Sequence, residues 1–236
     1  MRRDVPVATP VNRLLARLPA RTRHEVLEGC EQVDLAFGEL LCEPTEAIRY
    51  AYFPADGFIS LLASVDGHTN LEVGLIGNEG MFSPSSMFGV DVSPLRALVQ
   101  GAGGALRMKT ADLRRAAADS AALRDTLNRY LCVVVADLAQ TAVCNRFHMV
   151  EARLARWLLM THDRAPTDQL TLTHGQLATM LGVRRSGVSV AAAALQESKA
   201  IRYRRGEITI LDRGHLEVAS CECYGAGAAI YRQYLG

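Results

Sequence analysis

The sequence has no strong excess of charge of either sign, and it has no apolar segment of the kind that directs export. Its 26 Lys and Arg nearly balance 25 Asp and Glu, so the net charge of +1 gives no sign of a polyanionic partner. The first 25 residues are rich in arginine and contain no apolar run of signal-peptide or transmembrane length. We therefore predict a cytoplasmic protein that does not bind a membrane.

The sequence also lacks the motifs of an enzyme or of a metalloprotein. It has no phosphate-binding P-loop and no pairing of a nucleophile with a base, and its six histidines are scattered. Cys221 and Cys223 are separated by one residue instead of the two of a CxxC pair, and neither has a histidine at zinc-ligand spacing. We predict that the chain is not an enzyme and that its cysteines are reduced thiols without a metal.

Charge is unevenly distributed along the chain. Residues 150–213 contain ten Lys or Arg against six Asp or Glu, a local charge of +4, so the rest of the chain carries −3. A basic C-terminal part beside a slightly acidic remainder is typical of a protein with a nucleic-acid-binding domain.

Residues 30 to 115 have the pattern of short β-strands. Apolar runs are separated by Gly, Asp-Gly and Pro breaks at intervals of about ten residues, which favours an antiparallel sandwich or barrel. Asp66-Gly67 is typical of a tight hairpin turn, because this pair tolerates positive φ angles. We predict an antiparallel β domain within residues 1–115.

Residues 111 to 148 contain no Gly or Pro and are rich in Ala, Leu and Arg, which predicts a long helix that we assign to 116–148. A stripe along it recurs at alternating steps of four and three, the pattern of a two-stranded coiled coil. Its members are Leu127, Leu131, Val134, Leu138, Thr141 and Asn145. The stripe is either a dimer seam or a face that packs on the β domain. We favour the seam, because polar Thr141 and Asn145 would fix its register.

Residues 149 to 236 are predicted to form a domain around a helix-turn-helix. Thr173 can cap a helix with Gln176 at its third position, and Gly182 supplies the turn before a second helix that starts near Arg184. Apolar residues at helical spacing give each helix a buried side; they are Leu177, Met180, Leu181, Val188, Ala192 and Leu195.

The N-terminal end of the second helix is predicted to contact DNA. This end enters the major groove in such proteins, where an arginine can donate two hydrogen bonds to a guanine. The segment that follows, "AIRYRRGEITIL", has the alternation of a two-stranded wing whose arginines can meet phosphates. The predicted DNA-binding residues are Thr173, His174, Arg184, Arg185, Ser186, Ser189, Val190, Arg202, Arg204 and Arg205.

Taken in order, these segments resemble the CRP/FNR family of bacterial transcription regulators over nearly the whole chain. "FGELLCEPTEAIRYAYFPADGFISLL" resembles the opening strands of its cyclic-nucleotide-binding-type domain, and "GLIGNEGMF" resembles the glycine-rich turn of its ligand cassette. "LTHGQLATMLGVRRSGVSVAAAALQESKAIRYRRGEITILD" closely resembles its winged helix-turn-helix. The resemblance implies an α+β fold with an N-terminal antiparallel β-roll (double-stranded β-helix), a long central dimerisation helix and a C-terminal winged helix-turn-helix.

The resemblance also implies a function. A homodimer would bind a two-fold operator in double-stranded DNA, with RNA polymerase as a further partner. A signal in the β-roll would shift the DNA-binding domains between two arrangements through the central helices. Candidate effector-pocket residues are Gly77, Glu79, Gly80, Met81, Ser93 and Arg96.

The sequence departs from the family pattern at two places. Members that bind cyclic AMP end the cassette with an Arg-Ser pair that holds the phosphate, whereas Ser93 and Pro94 stand there in this chain and supply no charge. We therefore do not expect a cyclic nucleotide, and the effector is unknown. Ser186 and Val190 stand where many members have an acidic residue and a second arginine, so the preferred operator should differ from theirs.

A second hypothesis is a sensory or scaffolding β-roll module that acts through protein partners and has a winged helix that no longer binds DNA. Such a module would need no basic residues at the start of the second helix. The presence of Arg184, Arg185 and the wing arginines favours the DNA-binding regulator.

Overall fold

The computed structural model describes residues 12–65, 68–165 and 167–236. Two short helices, α1 (Arg13–Ala16) and α2 (Ala20–Glu28), come first. Seven strands follow: β1 (Glu31–Leu35), β2 (Leu40–Cys42), β3 (Tyr50–Pro54), β4 (Phe58–Val65), β5 (His68–Ile76), β6 (Arg96–Gly101) and β7 (Gly103–Lys109). A 3-10 helix at Pro84–Phe88 lies between β5 and β6.

The seven strands form two antiparallel sheets, as predicted for an N-terminal β-roll. One sheet has the order β1-β7-β3, and the other has the order β2-β6-β4-β5. Apolar side chains between the sheets form one core, around Ile59, Ala97 and Val99, each with no exposed surface. In the β4–β5 hairpin Val65 is paired with His68, while the predicted turn residues 66 and 67 lie outside the described residues.

The long helix predicted over 111–148 is two helices, α3 (Thr110–Asp119) and α4 (Ala121–Phe147). Ser120 has extended backbone angles between them, and its side chain accepts a hydrogen bond from the backbone N–H of Leu123. A serine that caps a helix in this way satisfies a backbone donor that would otherwise be unpaired. The prediction overlooked this cap because Ala, Leu and Arg surround it on both sides.

By length and composition alone α4 could cross a membrane. The fold gives its apolar residues another role, because α4 packs against α3, β5 and the C-terminal helix α9 (Cys223–Leu235). Leu123, Leu127, Tyr130 and Val133 are buried in a core that α4 shares with α3 and α9.

The C-terminal half contains α5 (Val150–His162), β8 (Gln169–Thr171), α6 (His174–Leu181), α7 (Arg185–Glu197), β9 (Ile201–Arg204), β10 (Glu207–Ile210) and α8 (Arg213–Ala219). Strand β8 was not predicted; it joins the wing as a third strand in the order β8-β10-β9. The core of this half includes Leu154, Leu158, Leu177, Val188 and Leu195.

Helix α9 leaves the C-terminal half and returns to the N-terminal one. Its residues Ile230, Tyr231, Tyr234 and Leu235 pack in the core that α1, β3 and α4 form. The Tyr231 hydroxyl donates a hydrogen bond to the backbone oxygen of Glu79, at 3.1 Å. The C-terminal helix therefore ties the last residues of the chain to its first domain.

Candidate nucleic-acid interface

The two helices of the predicted motif are α6 and α7. Thr173 caps α6 through the predicted capping box, in which its hydroxyl accepts from the N–H of Gln176 and the Gln176 side chain accepts from the N–H of Thr173. Gly182 ends α6 with a left-handed φ of 63°, which favours glycine. Arg184 is the extended residue before α7, so the helix begins at Arg185.

The N-terminal end of α7 is open to solvent. Arg184, Arg185 and Ser186 are exposed, and Val190 is 72% exposed one turn further along. The opposite face, with Val188, Ala191, Ala192 and Leu195, is buried. An apolar, exposed side chain beside two cations is suited to a groove that offers both guanine acceptors and thymine methyl groups.

Ser189 and His174, both predicted to contact DNA, are bonded to each other. The Ser189 hydroxyl lies 2.9 Å from His174 Nδ1, and the His174 ring stacks on Tyr203 at a centroid distance of 4.3 Å. Burial, together with the nearby Arg185 cation, lowers the pKa of His174. The two residues connect α6, α7 and the wing, and their contact with DNA stays a prediction.

The wing has the predicted hairpin. Arg205 and Gly206 both have positive φ angles, 52° and 86°, which suits a two-residue turn between twisted strands. Arg202, Arg204 and Arg205 are exposed, and none of them has a carboxylate partner within the described residues. Their charge is available to a polyanion.

Residues 152–219 match the family model of the Crp-like helix-turn-helix domain. Solved structures of the same overall fold include a regulator of the CRP/FNR family from Eubacterium rectale, at 17% identity and a TM-score of 0.68 over 87% of this chain and 96% of that one. The chain therefore contains a Crp-like helix-turn-helix domain at residues 152–219 and has the overall fold of this regulator.

Two further solved structures have the same overall fold as this chain. FixK2 from Bradyrhizobium japonicum is 16% identical with a TM-score of 0.64, over 81% of this chain and 98% of that one. CLP from Xanthomonas campestris, described as a c-di-GMP-responsive global regulator, is 16% identical with a TM-score of 0.66, over 82% of this chain and 100% of that one. A search of curated proteins gives no match.

The predicted dimer seam is partly buried within the chain. Leu127 has no exposed surface and belongs to the chain's own core, so it is not available to a partner. The other five seam residues, Leu131, Val134, Leu138, Thr141 and Asn145, are half-buried. Three of them, Val134, Leu138 and Thr141, line a cavity beside β5. Leu127 thus packs on the β domain, while the role of the stripe as a dimer seam stays a prediction.

The predicted effector residues do not form one pocket. Met81 has no exposed surface, and a Cβ on Gly80 would lie 2.1 Å from the Tyr130 hydroxyl, so both belong to the core. Arg96 donates hydrogen bonds to Glu43 at 2.9 Å and to Asn70 at 3.0 Å, so its guanidinium is already paired within the chain. Ser93 accepts from the N–H of Leu95 within its own loop.

Gly77 and Glu79 lie at the junction of the two halves. Glu79 forms a largely buried ion pair with Arg164, which follows α5, at 2.7 Å. A Cβ on Gly77 would lie 2.5 Å from the Arg164 side chain, so this close approach requires glycine. No local pattern predicts this pair, since the two partners are 85 positions apart.

A cavity of about 440 Å³ lies at this junction and was not predicted. It is lined by residues of β5, α4, α5 and α9, together with Arg13 of α1 and Leu61 of β4. Burial raises the pKa of Asp137 in its wall to about 6, although the Arg164 cation opposes the shift. The cavity thus combines apolar walls with cations and a carboxyl whose protonation changes near neutral pH.

Proposed function

We propose that the chain is a DNA-binding transcription regulator of the CRP/FNR type. It acts as a homodimer on a two-fold operator, with α7 of each protomer in the major groove. The observation that carries the proposal is the exposed arginine-bearing start of α7 within a Crp-like helix-turn-helix domain. Arg184, Arg185, Ser186 and Val190 contact bases or adjacent phosphates. Arg202, Arg204 and Arg205 contact the backbone beside the groove and set the orientation of the domain.

The proposed dimer forms through the exposed face of α4, one residue further along than the predicted stripe. This face repeats at steps of four and three, the coiled-coil spacing, and consists of Cys132, Val135, Ala139, Ala142 and Arg146. Val135 is 61% exposed, and the face continues into Phe147 and Met149, at 73% and 80%. Exposed apolar residues in a continuous stripe favour a protein partner, and a second copy supplies the same stripe in two-fold register.

The proposed site of the signal is the cavity at the junction of the two halves. A ligand there contacts β5 of the roll and α5 of the DNA-binding half together, so its binding energy differs between arrangements of the two halves. Arg96 is hydrogen-bonded to Glu43, and Ser93 is hydrogen-bonded to the N–H of Leu95, so these two side chains do not favour a cyclic nucleotide in the roll. We further propose a cytoplasmic location and RNA polymerase as a partner.

The alternative, a sensory or scaffolding module that acts through protein partners, does not use the exposed arginines of α7 and the wing. The two proposals predict different results in a gel-shift titration. The operator for this titration is found first, by footprinting the protein on its own genomic DNA. Arg185→Ala should weaken binding to that operator by about 1–3 kcal/mol and relax its sequence preference. Arg21→Ala, in the exposed part of α2, is the matched control and should leave binding unchanged. Equal binding by all three proteins would reject the assignment of α7.

A further inference from the structure

Three thiols and one imidazole meet where the end of α4 approaches the start of α9. Cys144 lies in the last turn of α4 and His148 is the residue that ends this helix. Cys221 lies between α8 and α9, and Cys223 is the first residue of α9. One ligand atom from each of the four side chains lies within 4.8 Å of the others, and all three thiols are buried.

Two separations within the cluster are close to the edges of a coordination tetrahedron. Cys144 Sγ lies 3.6 Å from Cys221 Sγ, and Cys223 Sγ lies 3.5 Å from His148 Nδ1. Tetrahedral Zn²⁺ with Zn–S of about 2.3 Å and Zn–N of about 2.0 Å requires S–S and S–N edges of about 3.8 Å and 3.5 Å. An iron–sulfur cluster needs wider spacing, because its thiolates bind different irons.

Neighbouring side chains orient these ligands. His148 Nε2 lies 3.1 Å from the Glu222 carboxylate, which leaves Nδ1 directed at the thiols. Gln140 Nε2 donates to Cys223 Sγ at 2.9 Å. A carboxylate behind a ligand histidine and a donor to a ligand thiolate are the supporting contacts that protein metal sites use.

The charge around the cluster fits bound thiolates. Arg153 and Arg156 are buried and line a small pocket together with Cys144. The Nε atoms of both arginines have no hydrogen-bond partner within the part of the chain that the structure describes. Three thiolates on Zn²⁺ carry a net charge of −1, which would offset this buried positive charge.

We propose that Cys144, His148, Cys221 and Cys223 form a structural Zn²⁺ site. All four coordination positions come from the protein, as in structural zinc sites, so the ion holds α9 against the end of α4. Since α5 of the DNA-binding half begins at Val150, the ion also fixes the point at which the chain passes between its halves. The prediction of no metal rested on short-range spacing, whereas His148 and Cys223 are 75 positions apart.

The test measures zinc bound to the full-length chain after reconstitution under reducing conditions and removal of excess metal. We expect one Zn²⁺ per chain by elemental analysis, and competition with a chromophoric chelator should give at least tenfold weaker binding for Cys144→Ser and Cys223→Ser. Cys30→Ser, which is half-buried, and Cys42→Ser, which is buried, both lie outside the cluster; they are the controls and should bind as the unchanged chain does. Equal zinc affinity in all five proteins would overturn the proposal.

A second measurement uses Co²⁺ in the unchanged chain, and therefore does not depend on the folding of any variant. Tetrahedral thiolate ligation should give intense visible ligand-field bands and a sulfur-to-cobalt charge-transfer band in the near ultraviolet. A weak octahedral spectrum without charge transfer would also overturn the proposal. Zn²⁺ should raise the Tm of the unchanged chain but not that of Cys223→Ser, because only a folded site binds the ion.

Discussion

Trp157 donates its indole N–H to the carboxylate of Glu72 across the junction of the two halves, at 2.6 Å. Glu72 lies on β5 and also accepts a hydrogen bond from Ser60 at 2.6 Å, while Trp157 lies on α5. Both side chains are buried. Together with the Glu79–Arg164 pair, this bond fixes the position of the DNA-binding half on the roll.

The stability of the protein should therefore depend on the protonation of Glu72. Burial raises the pKa of Glu72 to about 7, from 4.5 for the free side chain, although the bonds from Ser60 and Trp157 oppose the shift. The folded state binds this proton more tightly than the unfolded state does. Protonated Glu72 therefore contributes fully to the free energy of unfolding below about pH 4.5, and this contribution is lost as the pH rises to about 7. A shift of this size corresponds to roughly 3 kcal/mol.

The variant Glu72→Gln isolates the effect of this carboxyl group, because glutamine has nearly the same shape as glutamate but does not titrate. Denaturant titrations of both proteins between pH 4.5 and 7.5 should give a free energy of unfolding for the unchanged chain that falls relative to the variant as the pH rises. A difference that stays constant over this range would contradict the assigned pKa.

Removal of a wing cation should weaken binding to every DNA sequence. Arg204→Ala should reduce affinity for the operator and for random DNA to a similar extent and lower the slope of log affinity against log salt by about one, because one phosphate contact is lost. Titrations at several salt concentrations measure both quantities. Selective loss on the operator alone would place Arg204 at a base instead.

A charge on the exposed face of α4 should dissociate the proposed dimer. Val135→Asp places an ion in the centre of that apolar stripe, where burial would be costly, so sedimentation should give a lower mass. Val218→Asp is the control, since Val218 is 86% exposed on α8 and outside the stripe. An unchanged mass for Val135→Asp would move the dimer contact to another surface.

Gly80→Ala should destabilise the N-terminal half. The added methyl group would lie 2.1 Å from the Tyr130 hydroxyl, which donates to the backbone oxygen of Met81 from a buried position. Overpacking of this kind costs about 1–3 kcal/mol. Thermal unfolding would measure it against Gly225→Ala, a helical position with open space around it, which should be neutral or slightly stabilising.

Local patterns in the sequence determined the strands of the roll, the capping box at Thr173, the turn at Gly182 and the exposed start of α7. Each of these depends on a few consecutive residues whose backbone preferences and apolar spacing agree, so the sequence alone predicts them. The wing turn at Arg205 and Gly206 belongs to the same group. The contact of His174 with Ser189 and Tyr203 was not predicted, because it depends on neighbours in space and not on spacing along the chain.

Only the tertiary structure decided which face of α4 is free, how the two halves meet and which side chains form clusters. The return of α9 to the N-terminal core brings Cys221 and Cys223 to Cys144 and His148, and the position of α5 on β5 brings Trp157 to Glu72. These contacts join residues far apart in the chain, and their formation depends on packing that short-range periodicity does not encode. Local sequence thus determines most helices and strands and the side chains they carry. Which elements contact one another follows from how they bury their apolar faces together.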